Sequence, residues 1–139
     1  MSAYPDPGHV NGFYLGQFFG LLGWSGRHAD YATILHPLEG FDPYQSADMA
    51  HLARLLTPWL DSLSEAQDAA LARTWAYAVS EFDDRDLSWF LLGHLPALPD
   101  HPRAFLSDLA ANLYPQGLPE VDAQMHRRDR ETDSLFDLA

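Results

Sequence analysis

The stretch Ser64-Glu65-Ala66-Gln67-Asp68-Ala69-Ala70-Leu71-Ala72-Arg73-Thr74-Trp75-Ala76-Tyr77-Ala78-Val79-Ser80-Glu81-Phe82 decides the fold class. Ser64 and Gln67 stand at capping-box spacing, so each can satisfy an amide that the first helical turn leaves open. Leu71, Trp75, Ala78, Val79 and Phe82 then recur at intervals of three and four, which is the period of one helix face. The reading is a strong amphipathic helix beginning just after Ser64.

Working outward, Asp83-Asp84-Arg85-Asp86 precedes a second helical stripe of Leu87, Phe90, Leu91 and His94, which Pro96 ends. Asp84 is expected to cap that helix, with Asp86 against its positive end. Upstream, Ser46 is expected to cap a helix carrying Asp48 in its first turn and Met49, Leu52, Leu55 and Leu56 inside. Thr57-Pro58 should break it and open a short helix with Trp59, Leu60 and Leu63 on its inner face. Downstream, Pro102 suits the start of a helix with Phe105, Leu106, Leu109 and Leu113 inside, which Pro115 and Gly117 stop.

The segment Asn11 to Trp24 places Gly12, Gly16 and Gly20 four apart among Phe13, Phe18, Phe19, Leu21 and Leu22. Apolar on nearly every side, it reads as a buried helix whose glycines admit a close neighbour; a bent strand is the competing reading. Gly23, Ser25 and Gly26 form a turn signal, Tyr31 to Leu35 reads as a short strand or a helix end, and His36-Pro37 to Asp42-Pro43 as a loop. Residues 121–134 are dense in charge and suggest a solvated helix or a disordered tail. The whole is an all-α, irregular bundle of about five or six helices. It forms a single domain over residues 1–139, with an irregular lead-in over about 1–11 and a charged tail over about 121–139.

Composition narrows the chemistry. The chain has 139 residues, 47% of them hydrophobic, enough for a core without staples. It has no cysteine, which removes disulfides, thiolate metal sites and thiol nucleophiles. All 8 basic residues are arginines, so Schiff-base and P-loop lysine chemistry is also removed. Abundant Ala, Leu, Asp and Arg suggest a GC-rich, bacterial genome. Against the arginines stand 20 carboxylates, for a formal net charge of −12. Such a surface repels nucleic acid and anionic membranes and attracts basic proteins. The bland alternative is that acidity serves solubility. Met1 to Gly8 has no basic residue and does not look like a signal peptide. Phe13 to Trp24 is shorter than the roughly 20 residues that span a bilayer. The expected location is cytoplasmic.

No catalytic residue, metal site or cofactor is expected. The 7 histidines lack ligand spacing: Asp48 and His51 share a face with Arg54, and His94 and His101 straddle a proline connector. Gly23-Trp24-Ser25-Gly26 does not fit a nucleophile elbow. Charge is concentrated instead. Residues 61–100 hold eight carboxylates and two arginines, half of the net charge. The candidate partner-binding residues are therefore Asp61, Glu65, Asp68, Glu81, Asp83, Asp84 and Asp86, with Trp89 as an aromatic anchor off the apolar stripe. If the helices pack antiparallel, the two acidic clusters fall at opposite ends.

The expected function is a non-enzymatic protein-binding module, an immunity or inhibitor protein that neutralises a basic bacterial toxin or effector. Two alternatives stand beside it. One is an acidic chaperone or adaptor for a secreted or redox-enzyme client; Leu98-Pro-Asp-His-Pro102 resembles loops of helical maturation chaperones over those five residues. The other is a phage-type DNA mimic, which needs carboxylates at phosphate-like spacing.

Overall fold

The computed structural model describes residues 8–22, 45–91 and 99–138. The expected turn at Gly23–Gly26, the strand or helix end at Tyr31–Leu35, the following loop, Trp24 and His94 lie outside the described residues. So does most of the lead-in.

Five α-helices form the described fold: α1 (Phe13–Phe19), α2 (Ser46–Asp61), α3 (Glu65–Glu81), α4 (Asp84–Leu91) and α5 (Pro102–Leu113). Two short strands, β1 (His9–Val10) and β2 (His126–Arg127), pair in parallel. The protein is thus mostly helical, an all-α bundle. Among the described residues, no helix is long and apolar enough to cross a membrane.

The helix α3 is the axis of the molecule. Its capping box is complete: Gln67 N–H donates to Ser64 Oγ, and Ser64 N–H to Gln67 Oε1. Leu71, Thr74, Trp75 and Ala78 are buried along one side. Trp75 is fully enclosed, against Phe18, Phe19 and Tyr114. Its indole N–H donates to the Leu106 carbonyl at 2.9 Å, so the buried donor is satisfied. At the other end of α3, the Arg103 guanidinium donates to the carbonyls of Val79 and Phe82. A cation thus covers carbonyls that the helix end leaves open. The helix α1 packs on α3 and α4, while α2 lies chiefly on α5.

The glycine spacing in α1 has a local cause at Gly12. A Cβ there would lie 2.4 Å from the Phe90 ring, so α4 approaches where only glycine fits.

Several local expectations are corrected. Gln45, not Ser46, is the cap residue of α2, and no side chain caps it. Thr57-Pro58 does not break α2, which runs on to Asp61. Pro58 removes the donor for the Arg54 carbonyl, but Arg54, Thr57 and Pro58 lie on the solvent side, where water can take that place. Trp59 therefore stays on the outer face, 37% exposed, rather than in the core. At α4 the cap is Asp83, not Asp84: its Oδ1 accepts from Asp86 N–H at 2.8 Å, and Asp84 lies in the first turn with Asp86, which stands at the helix's positive end as expected.

The largest departure is the charged C-terminal stretch. It is neither a solvated helix nor a free tail. It runs in irregular form across the N-terminal face and ends in a 3-10 turn, Leu135–Asp137, with Leu135 fully buried. Three carboxamides hold it. Asn11 Nδ2 donates to Arg130 O and its Oδ1 accepts from Arg130 N–H. Gln17 Nε2 donates to Asp133 O and its Oε1 accepts from Leu135 N–H. Gln67 Nε2 donates to the carbonyls of Phe136 and Leu138. Periodicity cannot show such pairing, because the partners lie more than a hundred residues apart for Asn11 and Gln17.

Candidate functional site

The eight candidate binding residues divide between the two ends of α3. With 17 residues in that helix, the groups stand roughly 25 Å apart. They do not form one acidic face.

The first group surrounds a cleft at the α2–α3 junction. Asp61 ends α2, and Glu65 and Asp68 lie in the first turn of α3, where negative charge suits the helix N-terminus. The cleft measures about 460 Å³; Leu60, Leu63, Leu113 and Tyr114 supply its apolar lining. Tyr114 comes from the residue that follows α5. Its hydroxyl faces Asp68 Oδ1 at 3.5 Å, a long contact.

Burial pushes the Asp68 carboxyl above its ordinary range; the Tyr114 hydroxyl opposes the shift and the nearby Asp61 charge adds to it. Burial also pushes the Tyr114 phenol up, and the Asp68 charge and hydrogen bond reinforce this. Tyr114 therefore stays a neutral donor at physiological pH. Among the described residues, none of Asp61, Glu65 and Asp68 is in an ion pair. This end holds concentrated negative charge that no cation among the described residues balances.

The second group is partly neutralised. Glu81, Asp83 and Asp84 are exposed, and Asp83 is occupied as the α4 cap. Asp86 pairs with Arg127 at 2.9 Å, and Arg127 also meets Asp129 at 2.7 Å. The guanidinium lies 3.8 Å from the centroid of the Phe82 ring. Arg85 is exposed one turn before Trp89. Trp89 itself is 62% exposed, so it projects from α4 as an anchor would. Sequence reasoning missed both Tyr114 and Arg127. Tyr114 follows a helix whose inner face was read correctly, but nothing in the spacing places it against Asp68. Arg127 sits in a charge-dense stretch with no periodicity to orient it.

Among the described residues, no group of three His, Asp or Glu side chains gathers as metal ligands do. No family model, no curated protein and no solved structure matches the chain. The functional reading therefore rests on the geometry alone.

Proposed function

We propose that this protein is an acidic protein-binding module that docks onto a cationic protein, acting as an inhibitor of a basic toxin or effector. One observation carries the reading: Asp61, Glu65 and Asp68 line a cleft of mixed polar and apolar surface without a balancing cation from the described residues. A Lys or Arg side chain entering there meets three carboxylates with its head and Leu60, Leu63 and Leu113 with its stem. It also favours the charged form of Asp68, which burial disfavours. Trp89 and the exposed carboxylates at the far end of α3 offer a second contact area, adding specificity and steering.

The chaperone reading shares the cleft but asks for an extended client peptide. Its support is the same apolar lining. The DNA-mimic reading gains nothing from the structure, since the carboxylates fall in two groups and Asp86 is already paired.

The test is affinity capture from the native host, comparing the wild type with Glu65→Arg. The expected result is one basic protein, held by the wild type, lost in the variant and released by moderate salt. Association with the purified partner should slow at least tenfold between about 50 and 500 mM NaCl, because steering is screened. An acidic partner, or binding indifferent to both Glu65→Arg and salt, would overturn the proposal.

A further inference from the structure

Residues 126–138 are held as a bound peptide is held. Backbone groups at short intervals along the segment are read by the rest of the chain. His126 N–H donates to Gly8 O and Arg128 N–H to Val10 O, both at 2.8 Å. Asn11 takes both backbone groups of Arg130, and Gln17 takes Asp133 O and Leu135 N–H. His9 Nε2 meets Arg128 O, Gly12 N–H donates to Asp129 Oδ1, Gln67 takes Phe136 O and Leu138 O, and two strap side chains add anchors. Arg127 lies on Phe82 between Asp86 and Asp129, and Leu135 enters the core eight residues later. Most side chains between them are exposed. Residues 114–125, which join this strap to α5, contain no helix or strand, and Gly117 adopts a positive φ of 92°. Displacing the strap would therefore break no helix or strand in the segment that joins it to α5.

We propose that the face formed by β1, Asn11, Gln17, Phe82 and Asp86 is a peptide-docking groove that the chain's own strap occupies. Its ligand in trans is an extended segment of the cationic partner, with an arginine followed eight residues later by a leucine. This rests on the reading that the partner is cationic. Main-chain pairing gives such grooves affinity, and pockets for particular side chains give specificity. Arginine suits the first position because a planar guanidinium can stack on Phe82 and bond Asp86 together. The strap competes in cis at an effective concentration on the order of millimolar. A short peptide alone is thus excluded, while a partner also held at the acidic cleft can displace it. The strap then acts as an autoinhibitory filter for the right partner.

The test uses the full chain with a specific protease site replacing residues 116–121, folded and then nicked. A fluorescent peptide of residues 125–138 is added, and anisotropy is followed. The nicked protein is expected to keep its helical circular dichroism and to exchange its strap for the peptide. Peptides carrying Arg127→Ala or Leu135→Ala should bind at least tenfold more weakly, and the intact chain should bind the wild-type peptide at least tenfold more weakly than the nicked one. No uptake by folded, nicked protein, or equal uptake of all three peptides, overturns the groove. If nicking unfolds the protein, the un-nicked Leu135→Ala chain replaces it. That chain should take the wild-type peptide at least tenfold more tightly than the intact wild type, and equal binding again overturns the groove. Peptide uptake reads the groove alone and salt-dependent partner capture reads the cleft alone, so the two proposals fail separately.

Discussion

Asn11→Ala tests how the two ends of the chain are held together. Asn11 is fully buried and its side chain makes three hydrogen bonds: to Arg130 O, from Arg130 N–H and from Phe13 N–H. A hydrogen bond of this kind contributes about 1 kcal/mol net, so the three together amount to about 3 kcal/mol. Arg130 is exposed and its freed groups can be hydrated, which holds the loss near that sum rather than above it. For a chain of this length the loss corresponds to roughly 10 °C in Tm. Guanidinium unfolding followed by the fluorescence of buried Trp75 reads the stability. Hydrogen exchange at residues 126–135 reads the location, and those amides should lose protection before α3 does. Asn11→Asp keeps both accepting interactions but loses the donor and adds charge beside Asp129. It should fall short of the wild type as well. A loss under about 0.5 kcal/mol, below a single typical hydrogen bond, would refute the claim that this carboxamide clamps the strap.

Gly12→Ala drives a methyl group into the Phe90 ring and should cost about 1–3 kcal/mol by denaturant titration, with Phe90→Leu in the same chain recovering part of it. Arg103→Met keeps the stem but removes the two charge-assisted bonds to Val79 and Phe82; a loss of about 2 kcal/mol is expected, with early exchange of amides in the last turn of α3. Asp68→Asn should raise Tm at pH 7 while weakening partner binding. The folded state holds the Asp68 proton more tightly than the unfolded state does, so this group's contribution is greatest in acid and is lost as pH rises through its raised folded pKa. The Tm advantage of the variant should therefore vanish below the unfolded value of 3.8. Trp89→Ala should change stability by less than about 0.5 kcal/mol, since the ring is largely in solvent, yet reduce partner affinity severalfold.

What the sequence made legible follows from the range of the forces involved. The helices α3, α4 and α5 could be read because their apolar stripes and start signals are local, and Leu71, Trp75, Leu87, Phe105 and Leu109 are buried as the stripes require. Pro58 misled because a proline's cost depends on whether the orphaned carbonyl faces water, which the residue itself does not reveal. The candidate site was half legible. The clustering of Asp61, Glu65 and Asp68 is visible as charge, but the lining that makes them a cleft comes from Leu113 and Tyr114, over forty residues away. The second cluster could not be judged at all without Arg127, because a carboxylate's value to a partner depends on whether the chain already neutralises it. The same argument ranks the two acidic ends. At Asp86 an incoming arginine must first displace one that is stacked and doubly hydrogen-bonded. At Asp61, Glu65 and Asp68 it displaces no ion pair among the described residues and relieves like-charge crowding. On the proposed reading, first contact with a cationic partner would therefore belong to the cleft, and engagement of the strap's groove would follow only once that contact is made.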